Sequence, residues 1–254
     1  MSDTHRVGLI VPSSNTTMET EIPAMLRRHR SDAGFTFHSS RMPMRRVSPD
    51  ELTRMDAESA RCARELSDAR CDVLAYACLV AIMATGPNYH VASEQHLSRV
   101  AAENGGPAPV VTSAGALIDG IHALSARRVA LITPYRRPLT RLVVEYLEAA
   151  DIEVVEAVSL EVEDNLAVGR LDPAGLLDVA AGLPLGRCDA LVLSACVQLP
   201  SLAAIEPAQR RFGLAVLSTA VATTWSILNQ LGLEPRIDGA GALLAGAGQT
   251  APHR

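Results

Sequence analysis

The sequence predicts an α/β fold of two pseudo-symmetric halves, each a short, mostly parallel sheet flanked by helices, with a cleft between them. Three observations carry this. Short apolar runs bounded by polar residues alternate with helical stretches, as in a parallel sheet buried on both faces. The pattern then restarts: Val129-Ala130-Leu131-Ile132-Thr133-Pro134 repeats Val7-Gly8-Leu9-Ile10-Val11-Pro12. Finally, Cys71-Asp72 opens an apolar segment that ends on Cys78, just as Cys188-Asp189 opens one that ends on Cys196. The halves are placed at residues 1–124, carrying Cys78, and 125–254, carrying Cys196.

The elements follow in order. Val7–Val11 reads as a strand and Pro12–Thr17 as a turn rich in hydroxyl and amide groups. A helix starts near Met18, with Glu19 and Glu21 early, where the helix dipole favours acids. Phe35–Ser39 alternates as a second strand. Ser48-Pro49-Asp50-Glu51 combines a cap, a proline at the first helical position and a glutamate three after the cap. The helix it opens is expected to run unbroken to Ala69, with Cys62 on its packing face. After the Cys71–Cys78 strand come a loop and short helix over 79–83, a helix over 95–103, a strand over 109–112 and a helix from Ser113. The second half repeats this: a strand to Pro134, a helix over 139–149, a strand over 152–158, a polar loop holding Asn165, and a helix opened by Asp172-Pro173. The Cys188–Cys196 strand follows, then Val216–Ser218 and a closing helix from about Ala220 to Leu231.

Composition narrows the class. A chain of 254 residues is long enough for a substantial core, and 48% apolar with 20% charged residues is ordinary for a globular protein. A net charge of −5 gives no electrostatic case for nucleic acid. No apolar run approaches the roughly 20 residues that span a bilayer. Ser2–Arg6 leads directly into a strand, so no secretory leader is expected. Five cysteines, an odd number set on strands and helices, fit a reducing cytoplasm better than a disulfide framework. No metal-ligand spacing and no phosphate-binding loop is present, and Gly239-Ala240-Gly241 is too short for a dinucleotide fingerprint. The seven histidines are scattered among polar residues, and none is singled out.

Two thiols with uncharged polar company remain. In an open α/β sheet, ligands bind beyond the carboxyl ends of the strands, which is where Cys78 and Cys196 fall. Taken singly, either is a small buried packing residue; as an equivalent pair they are candidates for chemistry. Each is expected to precede a helix start, whose open N–H groups lower a thiol's pKa and hold carboxylates. The two segments differ, with Cys78 seven residues after Cys71 and Cys196 eight after Cys188, so the thiols are expected to have unequal roles, with Cys78 the lower in pKa. Asn15, Tyr135 and Asn165 lie in loops at other strand ends. Asn and Tyr donate to carboxylates without a counter-charge, although a turn or cap role explains the two asparagines equally well.

The segments Val11-Pro12-Ser13-Ser14-Asn15-Thr16-Thr17-Met18-Glu19, Tyr76-Ala77-Cys78-Leu79-Val80-Ala81, Thr133-Pro134-Tyr135 and Ser194-Ala195-Cys196-Val197-Gln198 carry a resemblance. Over nearly the whole chain they resemble the maleate cis-trans isomerases of the aspartate/glutamate racemase superfamily. The resemblance implies a cofactor-free, metal-free conversion of maleate to fumarate, as in nicotinate degradation, by a cytoplasmic homodimer. It implies Cys78 as nucleophile and Cys196 as proton donor. It also implies substrate contacts from Asn15, Tyr135 and Asn165, and from the main chain of Leu79, Val80, Val197 and Gln198. The residues themselves leave other readings open: an amino-acid or hydantoin racemase with two acid–base cysteines, a one-cysteine decarboxylase, or a dicarboxylate-binding protein with inert thiols.

Overall fold

The computed structural model describes residues 4–30 and 33–246; His253, one of the seven histidines, lies outside them. The first half contains β1 (Thr4–Pro12), α1 (Met18–Leu26), β2 (Gly34–Met42), α2 (Pro49–Asp56), α3 (Ser59–Asp68), β3 (Val73–Tyr76), α4 (Leu79–Thr85), α5 (Tyr89–Glu103), β4 (Val110–Thr112) and α6 (Ser113–Ala123). The second contains β5 (Arg128–Thr133), α7 (Arg137–Glu148), β6 (Glu153–Ser159), α8 (Asn165–Val168), α9 (Pro173–Ala181), β7 (Ala190–Ser194), α10 (Leu202–Phe212), β8 (Ala215–Ser218) and α11 (Thr219–Gln230).

The two sheets have the same strand order, β2-β1-β3-β4 and β6-β5-β7-β8, and every pairing is parallel. All strand carboxyl ends of a sheet therefore point the same way. The inner strands β3 and β7 are buried along their whole length, which is why they read as continuous apolar runs. The halves are welded by more than the cleft. α11, from the end of the chain, packs against α6, α1, β3 and β4 of the first half, and Thr223 Oγ1 donates to Ser113 Oγ at 3.1 Å.

Four expectations change. The single helix over 48–69 is two, broken at Ala57-Glu58. The break leaves Asp56 at the end of α2, where its carboxylate accepts the hydroxyls of Tyr76 (2.6 Å) and Tyr89 (3.0 Å). Cys62 is fully buried on α3, as a packing residue should be. The capping box does not close: Ser48 has extended backbone at the cap position but makes no side-chain cap bond. Glu51 instead accepts the N–H groups of Arg45 (2.8 Å) and Arg46 (2.9 Å), tying down the segment before the helix. Asn165 opens the one-turn helix α8, because Asp164 accepts Leu166 N–H and caps it. α10 was not anticipated; its stretch carries Pro207 at an interior position, where a missing N–H usually argues against a helix.

Candidate active site

The chain leaves both sheets in the same manner. Ala77 N–H donates to Ile10 O at 3.0 Å, and Ala195 N–H donates to Ile132 O at 2.9 Å. The next residue is Cys78 in one half and Cys196 in the other, so the thiols take equivalent places just past the third strands. The Cys-Asp pairs lie at the opposite strand ends. There Asp72 accepts Arg6 N–H (2.6 Å) and Asp189 accepts Arg128 N–H (2.9 Å), fastening the third strand of each sheet to the first. This explains the repeated aspartates and removes Cys71 and Cys188 from the site.

One small chamber collects every residue singled out: Asn15, Cys78, Leu79, Val80, Tyr135, Asn165, Cys196, Val197 and Gln198. Pro12, Met44, Val47 and Ala77 complete its wall, and no charged side chain lines it. Its free volume is about 20 Å³, room for about one water. The polar groups sit at the ends. Asn15 Oδ1 accepts Thr17 and Met18 N–H, both at 3.0 Å, so its carbonyl starts α1 and its Nδ2 group is left to donate. The cap and ligand readings of Asn15 are thus compatible. Asn165 Nδ2 donates one hydrogen to Ser14 Oγ at 2.8 Å and keeps a second. Leu79 and Val80 begin α4, where helix geometry leaves N–H groups open.

The electrostatics differ from the expectation that helix starts acidify both thiols. Cys78 does precede a helix, but burial dominates and pushes its pKa up to about 12. Ala81 N–H opposes this, while Cys196 and Asp56 add to it. Cys196 precedes a turn rather than a helix. Burial also raises its pKa, against three donors: Tyr135 O–H and the N–H groups of Gln198 and Leu199. The donors that stabilise a thiolate thus number three on Cys196 and one, Ala81 N–H, on Cys78, and burial raises both thiols. Tyr135 is itself held protonated well above the usual phenol range, first by burial and then by the two cysteines.

A pH dependence of stability follows. The folded chain holds the Cys78 proton up to about pH 12, whereas an ordinary cysteine releases it near 9.0. The folded state therefore binds the proton more tightly, and that contribution is full below pH 9 and lost as pH rises toward 12. Urea midpoints should fall over this window, and Cys78→Ala should flatten part of the fall. Identical slopes in both proteins would refute the assignment of this proton to Cys78.

Sequence reasoning missed two features. Met44 and Val47 reach the chamber from the connection between β2 and α2, and nothing in Pro43-Met44-Arg45-Arg46-Val47 marks a site. Gln198 was read for its main chain, yet its side chain joins the halves. Its Oε1 accepts Thr16 N–H (2.8 Å) and Thr17 N–H (3.2 Å), and its Nε2 donates to Ser14 O (3.2 Å) and Asn165 O (2.7 Å). Thr17 Oγ1 also donates to Gln198 O at 2.8 Å. Glu21, on α1, adds a second strap by accepting Ser201 and Leu202 N–H, each at 2.7 Å, at the start of α10. The turns bearing Asn15, Asn165 and Cys196 are therefore one hydrogen-bonded unit.

Two parallel sheets meeting at their carboxyl ends, each contributing a thiol at the same topological place, define a two-cysteine member of a duplicated α/β class. Residues 7–244 match the arylmalonate decarboxylase family, to which the chain belongs. Within it the chain groups with the maleate isomerases. It is 57% identical over 249 residues to the maleate isomerase of Geobacillus stearothermophilus, covering 97% of this chain and 99% of that one. The structure of a Cys-to-Ala variant of the maleate isomerase Iso from Pseudomonas putida S16 with maleate superposes with a TM-score of 0.96. The two chains are 53% identical, over 96% of this chain and 99% of that one. A Cys-to-Ser variant of the Nocardia farcinica maleate cis-trans isomerase, with a covalently bound succinylcysteine intermediate, gives 0.93 at 48% identity, over 95% and 98%.

Proposed function

We infer that this chain converts maleate to fumarate through a covalent succinyl-cysteine intermediate, with Cys78 as nucleophile and Cys196 as proton donor. The observation that carries this reading is the chamber: two thiols line one small space with amide, phenol and main-chain donors at its ends and no charged side chain. Such a lining suits a substrate whose charges sit at two ends and whose reacting carbons lie between them. Asn15, Asn165 and Tyr135, with the main chain of Leu79, Val80, Val197 and Gln198, hold the two carboxylates.

The donor pattern arranges the protons. When one of the pair is ionised, Tyr135 and two N–H groups favour the charge on Cys196. That thiolate takes the Cys78 proton as Cys78 Sγ adds to one alkene carbon. The sulfur lone pair forms the carbon–sulfur bond, and the π pair moves onto the second carbon and into its carboxylate, where the donors stabilise it. Cys196 returns the proton to that carbon. The former double bond is now single and rotates. Cys196 then removes a proton, the electron pair re-forms the π bond, and Cys78 leaves as thiolate, giving fumarate and taking the proton back from Cys196 to restore the starting pair. Atoms and charge balance without a further reactant.

The resemblance also supports three finer readings: action as a homodimer, a cytoplasmic location and a place in nicotinate breakdown. Likewise, the chain divides at 124/125 into halves that each supply one thiol. Among the described residues, no helix is long and apolar enough to cross a membrane.

The test is loss of maleate absorbance with no cofactor added, followed by rapid acid quench and peptide mass spectrometry. A succinyl adduct is expected on the Cys78 peptide. An adduct confined to Cys196 would reverse the roles, and a racemase mechanism would leave none on either thiol.

A further inference from the structure

We propose that a second, outer cavity, adjoining the chamber at Val47 and Tyr135, is an anion-collecting vestibule that delivers the dicarboxylate to the thiols. This rests on the functional reading above and adds a site to it. The cavity measures about 540 Å³, against about 20 Å³ for the chamber. Val47 and Tyr135 line both, so the two cavities adjoin at these residues.

The charges in the vestibule point to an anion. Arg45, Arg46 and Arg136 line it, with Glu163 and Asp164 as the acids. Glu163 is engaged by Arg136 at 2.9 Å. Asp164 is turned to its own helix, accepting Leu166 N–H at 3.0 Å. Glu51, just outside, accepts the main-chain N–H groups of Arg45 and Arg46, which fixes the backbone there. Neither Arg45 nor Arg46 forms an ion pair among the described residues, although Glu51 lies near enough to Arg46 to feel its charge. The lining thus carries three arginines against two acids, a net charge of +1, beside an uncharged chamber and on a chain whose net charge is −5. A dianion repelled by the molecule as a whole is drawn to this face, and guanidinium forks are suited to carboxylates. The antiparallel bridge between Arg46 and Asp164 holds the mouth in register across the two halves.

The test separates attraction of anions from catalysis. Iodoacetate and iodoacetamide present the same carbon and leaving group to a thiol and differ in charge. Their alkylation rates at Cys78, mapped by peptide mass spectrometry, give a ratio that does not depend on turnover. The double variant Arg45→Gln/Arg46→Gln keeps the main-chain bonds to Glu51. At low salt its iodoacetate rate should fall about tenfold, with iodoacetamide within about twofold. Salt should lower the wild-type ratio and barely change the variant's, since exposed charges are screened beyond about 10 Å at 0.1 M. kcat/KM for maleate should fall in parallel at unchanged kcat, and Arg45→Lys/Arg46→Lys should recover it. A ratio that neither the substitutions nor salt alters overturns the vestibule even if maleate is turned over. A ratio that falls in a chain inactive on maleate keeps the vestibule and removes the functional reading. If neither reagent reaches Cys78, the kcat/KM comparison decides, and equal values overturn the proposal.

Discussion

Cys78→Ser is expected to leave the chain folded and to reduce maleate isomerisation below detection, and Cys196→Ser to do the same for a different reason. Sulfur and oxygen differ little in volume, so either exchange perturbs the packing modestly. The chemistry changes far more. A serine hydroxyl in an uncharged, buried chamber has no route to the anion that addition requires. At position 196 the hydroxyl passes protons between Cys78 and carbon far more slowly, so turnover stops while slow addition to Cys78 still occurs, and general acid–base catalysis alone is worth about 10²–10⁴-fold. The two variants separate under acid quench. Cys196→Ser retains a nucleophile and should trap an adduct on the Cys78 peptide, whereas Cys78→Ser should trap none. Cys62→Ser, in the core of α3 and outside the chamber, should stay active. An active Cys78→Ser protein would end the assignment.

Gln198→Ala is expected to be the most damaging substitution of a residue that does not change bonds during the reaction. The side-chain amide uses both faces: its oxygen accepts two N–H groups, and its nitrogen donates to two carbonyls on two segments. Truncation strands Thr16 N–H and Ser14 O in a part-buried place, while Thr17 N–H keeps Asn15 Oδ1 and Asn165 O keeps Gly169 N–H. At about 1–3 kcal/mol for each stranded group, partly relieved by entering water, the loss of stability should be about 2–4 kcal/mol. Activity should fall further than stability predicts. Ser14, next to Asn15, and Asn165 are held by the same amide, and a shift of about 1 Å in substrate-positioning groups lowers rates by about 10²-fold. Gln198→Glu should not rescue it, because a second carboxylate oxygen would face the carbonyls of Ser14 and Asn165. Urea unfolding and kcat, measured on both variants, check this. A Gln198→Ala protein of wild-type stability would show that the cross-half bonds contribute little.

The chemistry of this chain was legible where it depends on local pattern. Val73–Tyr76 and Ala190–Ser194 are buried on both faces and so read as continuous apolar strands. A parallel strand must end in a loop at the ligand-binding edge, which located Cys78 and Cys196. Asn15 and Tyr135 were visible for the same reason, lying in the turns after β1 and β5. The helix break at Ala57-Glu58 was not visible, because its evident use is to bring Asp56 to Tyr76 and Tyr89, partners distant in sequence.

What the sequence determined by itself is therefore the duplicated α/β order, the strand ends and the residue types that reach them, since strands and turns answer to neighbours a few positions away. Only the tertiary structure decided which thiol is better supplied with donors. Burial raises both, and Tyr135, which donates to Cys196, comes from a different strand. It alone decided that Met44 and Val47 line the chamber, that Gln198 joins the Asn15, Asn165 and Cys196 turns, and that Arg45 and Arg46 line the adjoining cavity. Each of these depends on solvent exclusion or on contact between segments far apart in the chain, and neither is written in any short stretch of residues.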